Sequence, residues 1–237
     1  MPDQTSHKPV MLITGTRKGI GNYLANYYLN KGFIVIGCSR GELDLKSENY
    51  IHYCLDVADE NKVKNIFRDL KRDFGRLDVL INNAGIASMN HSMLTPLSTV
   101  KKIFDTNVTG TFLFSREAAK IMRKSTGGRI VNLTSVAVPL KLAGEAIYAA
   151  SKAAVNNLTQ ILAAEFADFG ITVNAIGATP LRTDLIKNVP EEKIAKLISK
   201  LSIKRLGEFE DVVNAVEFFI KPESNYITGQ ILYFGGV

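Results

Sequence analysis

Seven short runs of β-branched and aliphatic residues punctuate the chain: VMLIT from Val10, FIVIGC from Phe33, YIHYCL from Tyr50, VLIN from Val79, RIVNLT from Arg129, ITVNAI from Ile171 and QILYF from Gln230. They are continuously apolar rather than alternating. Strands read this way when both faces are buried, in a parallel sheet covered by helices on either side. Helix-like segments fall between them, over Gly19–Lys31, Asn61–Phe74, Val100–Met122, Ala146–Phe169 and Phe209–Ile220. This alternation specifies an α/β fold: one doubly wound, seven-stranded parallel sheet with helices on both faces. One connection breaks the pattern. GELDLKSEN, between Arg40 and Tyr50, is too short for an ordinary crossover helix, so a loop or a single turn is predicted there. Residues 1–9 read as a flexible tail and residues 10–237 as one domain, without repeat, low-complexity tract or linker.

Composition excludes several classes of function. A hydrophobic content of 46% is ample for a large core. No apolar run approaches the roughly 18 residues of a membrane span. The opening MPDQTSHKP lacks an apolar stretch of the kind a secretory leader needs. Cys38 and Cys54 both lie in apolar strand-like runs, which suits buried free thiols in a reducing cytoplasm. His7, His52 and His91 are scattered without ligand spacing, and no metal is expected. The net charge of +6 raises nucleic-acid binding, but no run of five basic residues and no basic–aromatic interleaving is present. Attraction of an anionic cofactor or substrate is the better account of that charge.

The first strand ends in TGTRKGIG, Thr14 to Gly21, which then opens a helix. Gly15 permits a tight turn, Gly19 lets backbone N–H groups approach a pyrophosphate, and Gly21 allows close helix–strand contact. The helix N-terminus offers its unpaired amides to the anion. Gly15, Arg17, Lys18, Gly19, Ile20 and Gly21 are therefore expected around the phosphates of a dinucleotide. The second strand ends CSR. Enzymes choosing NAD usually place a carboxylate at this point to hold the adenosine ribose. Here Ser39 stands in that place, followed by Arg40, and with Arg17 and Lys18 several cations can converge on an extra ribose phosphate. NADP(H) is expected in preference to NAD(H).

With TGTRKGIG, NNAG at Asn82–Gly85 and YAASK from Tyr148 in that order, nearly the whole chain resembles the short-chain dehydrogenase/reductase family, which has a Rossmann fold. RLGEFEDV and YITGQ near the end are most similar to its 3-oxoacyl-[acyl-carrier-protein] reductase branch. The resemblance implies a catalytic set of Asn107, Ser135, Tyr148 and Lys152. It places Asp56 and Val57 of the LDV run at the adenine, and Asn83, Ala84 and Gly85 along the dinucleotide. Lys152 also falls at the nicotinamide ribose, Tyr148 at the nicotinamide and Thr183 at its carboxamide. A homotetramer or homodimer paired through the long helices is implied as well. The small-molecule substrate is a carbonyl compound or alcohol: a 3-oxoacyl thioester on the first reading, a sugar or polyol on the second. A non-catalytic cofactor-binding sensor is a third reading, which intact Tyr148 and Lys152 disfavour.

The chemistry of those residues agrees with the implied roles. Reducing a ketone with hydride needs a proton donor at the developing alkoxide. A free phenol, with a pKa near 10, exchanges its proton poorly at neutral pH. An ammonium at i+4 shares a face with the phenol and, with the positive nicotinamide, is expected to lower that pKa. Ser135 is the preorganised donor to the substrate oxygen. The resemblance gives Asn107 a helix irregularity and a water, opening a proton route through Lys152. Four departures from the family pattern stand out. Gly177-Ala178 replaces the usual Pro-Gly. Phe234 replaces an Asp before the last glycines. Ser125-Thr126 and Asp168-Phe169 stand where carrier-protein reductases present arginines. Lys193, Lys196, Lys200, Lys204 and Arg205 run through the lid expected over Leu181–Ile203; they either receive an anionic substrate or solvate a helix.

Overall fold

The computed structural model describes residues 8–43, 45–125, 127–181 and 191–237, apart from the side chain of Lys193. Thr183, most of the residues 1–9 read as a tail, and the first half of the expected lid lie outside the described residues. Seven strands form one sheet: β1 (Val10–Thr14), β2 (Ile34–Ser39), β3 (Tyr50–Cys54), β4 (Val79–Asn82), β5 (Gly128–Ser135), β6 (Ile171–Ala178) and β7 (Ile231–Tyr233). Their order is β3-β2-β1-β4-β5-β6-β7 and every pairing is parallel. All seven predicted strands are present. The order reverses between β1 and β4, opening a crevice beyond their carboxyl ends where such sheets bind ligands.

Among the described residues eight α-helices accompany the sheet: α1 (Gly19–Asn30), α2 (Glu60–Asp73), α3 (Leu97–Phe104), α4 (Gly110–Met122), α5 (Ala137–Leu140), α6 (Ala146–Phe166), α7 (Glu191–Lys200) and α8 (Phe209–Ile220). Alternate side chains of β1 feed two separate cores. Val10 and Leu12 pack with α2, α4 and α6, whereas Met11 and Ile13 pack with α1 and α8. Phe114 and Phe219 are each almost wholly buried in one of these layers. Burial of a side chain of that size stabilises by about 1.5–3 kcal/mol. Among the described residues of the β2–β3 connection there is no helix, as its length requires. No helix of the described residues is long and apolar enough to cross a membrane.

Three expectations are corrected. The helix read over Val100–Met122 is broken: α3 and α4 are joined by a π-helical turn, Asp105–Thr109. The helix read to Phe169 ends in a 3-10 turn, Ala167–Phe169, stopped by Gly170 in the left-handed region at φ 69°. Cys38 is buried but Cys54 is exposed, because β3 is the sheet edge and its residues are at most half-buried. An apolar run on an edge strand cannot be told from a central one by composition.

Candidate active site and dinucleotide cradle

The glycine turn and the NNAG loop are built as one unit. Gly15 and Gly19 have φ of 77° and 60°, a region costly for other residues. A β-carbon on Gly21 would overlap the Gly15 carbonyl and the Asn83 amide, so the first turn of α1 packs directly onto the loop. Asn83 Nδ2 donates to the Thr14 carbonyl at 2.8 Å and to the Gly15 carbonyl at 3.3 Å. The amides of Asn83 and Ala84 both donate to Thr14 Oγ1, at 3.0 and 2.9 Å. Thr14 thus joins β1 to the end of β4. The sequence reading used it only as a strand end, although a hydroxyl closing a strand at a glycine turn is a legible signal.

The cradle fits a dinucleotide phosphate. Lys18, at the N-cap of α1, makes no side-chain cap, and the first turn holds no acid. By contrast α2 is capped by Asp59, which accepts from the Lys62 amide at 3.1 Å. The α1 amides and its positive dipole end are left for an external anion. Ile20 packs its side chain into the α1–α8 core, so only its backbone faces the cradle. At the adenosine end, Arg17 and Arg40 are exposed beside the turn that ends β2. Ser39 Oγ donates to the Gly41 carbonyl at 2.6 Å. Asp56 is exposed just beyond β3 and its carboxylate accepts from the Ala58 amide at 3.0 Å, while Val57 is buried against Gly110.

The four residues of the implied catalytic set come together at the carboxyl ends of β4 and β5. Asn107, wholly buried in the π turn, accepts from the Ile86 amide at 2.9 Å and donates to the Ile86 carbonyl at 3.0 Å. Its second amide hydrogen goes to Ser151 Oγ at 3.0 Å, which in turn donates to the Tyr148 carbonyl at 2.7 Å. The helix irregularity expected around Asn107 is therefore this π turn, and through it the start of α6 is tied to the loop after β4. Ser151 was not singled out from sequence; it reads there as one small helix residue among alanines. Lys152 is 5% exposed and its Nζ donates to the Leu133 carbonyl at 2.7 Å. A β-carbon on Gly85 would stand 3.3 Å from Lys152 Nζ and 3.4 Å from Asn107 Oδ1, so glycine there keeps a space open between them. The Ser135 hydroxyl lies near enough to Tyr148 to act on the titration of its phenol. Tyr148 and Lys152 both turn toward β5, at Ser135 and Leu133 respectively.

The electrostatics differ from expectation. Burial pushes the Tyr148 phenol up to about 12, opposed by the nearby Ser135 hydroxyl and reinforced by the Glu145 carboxylate. Lys152 does not figure among the causes. Burial pushes Lys152 down to about 8. Desolvation penalises phenolate and ammonium alike, and it outweighs the attraction expected between them.

The departures also find their places. Gly177 lies against the Tyr233 ring, where a β-carbon would collide, and its carbonyl accepts from the Phe234 amide at 3.0 Å. Gly235 O accepts from the Ser202 and Ile203 amides at 2.8 and 3.0 Å, so the C-terminal glycines hold the segment following α7. Away from the site, a cleft of about 430 Å³ between α2 and α4 is lined by Lys64, Arg68, Lys71, Lys120, Arg123 and Lys124. It lies toward the amino ends of β4 and β5, where α2 and α4 end. Among the described residues no group of three His, Cys, Asp or Glu side chains could hold a metal ion.

Fold and site together define a nicotinamide-dinucleotide-dependent oxidoreductase. Residues 15–236 match the family model described as Enoyl-(Acyl carrier protein) reductase. The chain is 33% identical over 233 residues to the 3-oxoacyl-[acyl-carrier-protein] reductase FabG of Vibrio cholerae, covering 96% of each, and 31% identical to that of Escherichia coli with the same coverage. Among solved structures it superposes on ElxO with NADP bound at a TM-score of 0.88 and 34% identity, covering 96% of this chain and 97% of that one. The aldohexose dehydrogenase of Thermoplasma acidophilum, at 0.88 and 29%, is covered to 94% by 97% of this chain. The chain belongs to the short-chain dehydrogenase/reductase family, and it is an oxidoreductase of that family.

Proposed function

We propose that the protein is an NADPH-dependent carbonyl reductase acting on a 3-oxoacyl thioester. The observation that carries the proposal is the meeting of Asn107, Ser135, Tyr148 and Lys152 beside a glycine cradle shaped for a dinucleotide. The bound cofactor supplies hydride to the carbonyl carbon. Ser135 orients the substrate oxygen, and Tyr148, protonated at neutral pH, gives that oxygen its proton as negative charge develops. Lys152 holds the nicotinamide ribose and stabilises the phenolate left behind. Asn107 keeps the π turn and the start of α6 in register, so the phenol and amine stay aimed at one point. Gly15, Arg17, Lys18, Gly19, Ile20 and Gly21 hold the pyrophosphate, while Asp56, Val57, Asn83, Ala84 and Gly85 line the path to adenine and nicotinamide. Thr183, outside the described residues, is assigned to the carboxamide by the family resemblance alone.

The preference for NADP(H) rests on Ser39 standing in the sequence position of the usual ribose-binding carboxylate, with Arg40 and Arg17 beside it. The wild-type protein is expected to oxidise NADPH with a 3-oxoacyl-CoA. Arg40→Asp is expected to lower kcat/KM for NADPH relative to NADH about 10–100-fold, the worth of one charged hydrogen bond. Absence of thioester turnover with any nicotinamide cofactor would remove the substrate reading; an unchanged cofactor ratio would remove the NADP reading. A second reading, oxidation of a sugar-like alcohol, is favoured by Glu145, a carboxylate beside Tyr148 suited to a polar, hydroxyl-rich ligand, and by the aldohexose-dehydrogenase likeness. NAD-linked aldose oxidation without thioester reduction would establish it instead.

A homotetramer or homodimer is proposed on the exposure of Phe112 on α4, Ile161 on α6 and Phe169 just after it. Exposed large apolar side chains on long neighbouring helices suit a surface covered by a second copy. Light scattering at micromolar concentration is expected to give two or four chain masses, and a single chain mass would defeat the proposal.

A further inference from the structure

Behind the proposed ribose-phosphate pocket runs a chain of polar groups that the family motifs leave without a role. Thr16, in the glycine turn, is fully buried. Tyr50, at the start of β3, reaches its Oγ1 at 2.9 Å, passing over Gly37 of β2, where a β-carbon would collide with the phenol oxygen. The same phenol oxygen lies 2.9 Å from His52 Nδ1. His52 Nε2 then lies 3.1 Å from Ser39 Oγ and 3.1 Å from the Gly41 carbonyl. A β-carbon on Gly41 would come 2.6 Å from Arg17 Nη1, so the guanidinium lies close over that turn. The parallel register sets His52 beside Gly37 and Cys54 beside Ser39, so the imidazole leans forward along β2 to reach the turn.

Proton accounting decides what this imidazole does. The Gly41 carbonyl can only accept, so the Nε2 facing it carries a hydrogen. This holds in both protonation states that satisfy the chain. A neutral ring accepts at Nδ1 from Tyr50, and a charged ring donates there while Tyr50 donates to Thr16. The Ser39 hydroxyl has one hydrogen, and in this structure it goes to the Gly41 carbonyl. A serine that spends its hydrogen on the backbone cannot also donate to a phosphate. With Nε2–H already aimed at that carbonyl, the hydroxyl can rotate away and leave no unpaired acceptor behind.

We infer that His52 is a positioning residue for cofactor selection: its Nε2–H holds the Gly41 carbonyl, freeing the Ser39 hydroxyl to donate to the 2′-phosphate of NADP(H). The inference rests on the NADP reading above and deepens it. NAD(H) carries no phosphate at this point, so the exchange of donors matters for NADP(H) alone.

Calorimetric titration of NADP⁺ and NAD⁺ into the full chain tests it without turnover. His52→Leu is expected to raise the Kd for NADP⁺ about tenfold, the worth of one hydrogen bond, and to leave that for NAD⁺ within about twofold. His52→Gln, whose amide N–H can reach the position of Nε2, is expected to recover most of the loss. Equal weakening of both cofactors would reduce His52 to a structural support, and no change in either would dismiss it; each outcome overturns the inference. Should thermal melting show that His52→Leu does not fold, His52→Asn carries the same expectation, since its shorter amide leaves the Gly41 carbonyl unserved. Arg40→Asp run alongside separates the two levels. An unchanged NADP⁺/NAD⁺ ratio there sinks the phosphate reading itself, whereas a large change there with none at His52 sinks this inference alone.

Discussion

Tyr148→Phe is expected to lower kcat for carbonyl reduction about 10³-fold, the range of a positioned general acid, while Kd for NADPH stays within about twofold. The substitution removes one oxygen and keeps the ring, so packing at the start of α6 is preserved. Burial holds the phenol up at about 12, so at neutral pH it carries the proton that the substrate oxygen needs. Because the folded pKa of Tyr148 lies above the ordinary value of 10.0 while Lys152 releases its proton near pH 8, reduction should be flat through neutral pH and begin to fall near pH 8. The reverse, oxidative direction needs the phenolate and should gain rate as pH rises. Steady-state kinetics in both directions, with calorimetric NADPH titration, measure all three quantities. Equal damage to turnover and cofactor affinity would remove Tyr148 from the acid role and leave it a packing residue.

Lys152→Met is expected to abolish turnover yet make the protein harder to unfold near neutral pH. The ammonium is buried and its pKa is pushed from 10.5 down to about 8. At about 1.4 kcal/mol per pH unit, that is a destabilisation of about 3 kcal/mol carried by the charged form. Methionine fills a similar volume without charge, but the Leu133 carbonyl loses its donor, at about 1 kcal/mol. A net gain of about 2 kcal/mol is left. The sign follows from linkage. The unfolded chain holds this proton up to its ordinary pKa, whereas the folded chain begins to release it near pH 8. The mutant's advantage is therefore fully present below about pH 8 and fades as pH rises toward 10.5. Chemical denaturation at pH 7 and pH 10 checks both points. A mutant less stable than wild type at pH 7 would show that Lys152 holds the fold together rather than being held in it under strain.

Much of this molecule was legible before any coordinates. The seven apolar runs placed all seven strands, and the short GELDLKSEN connection correctly excluded an ordinary helix there. The alternation of apolar runs with helix-like segments also placed α1, α2, α6 and α8. It could not show the π turn at Asp105–Thr109, since DTNVT carries the same spacing whether it closes a normal or a widened turn. What widens it is the pair of bonds from Asn107 to Ile86, a partner 21 residues away. Cys54 was misplaced for a similar reason: edge and central strands share a composition and differ only in their neighbours.

The site divides along the same line. Motif residues with a local geometric demand, such as Gly15 at positive φ and the i, i+4 pair of Tyr148 and Lys152, could be picked out from the chain alone. Ser151, Tyr50 and His52 could not, because their partners come from other strands and helices. Spacing gave Tyr148 and Lys152 their common face, but only burial gave the sign of each shift.

The order of residues alone thus determined the strand inventory, the glycine turn and the identity of the reactive groups, because each depends on contacts within a few residues. The tertiary structure alone decided which strand lies at the edge, where the helix widens, and how strongly the phenol and amine are shut away from water. Those properties arise from segments that meet only after folding, and solvent exclusion belongs to the assembled whole rather than to any stretch of chain.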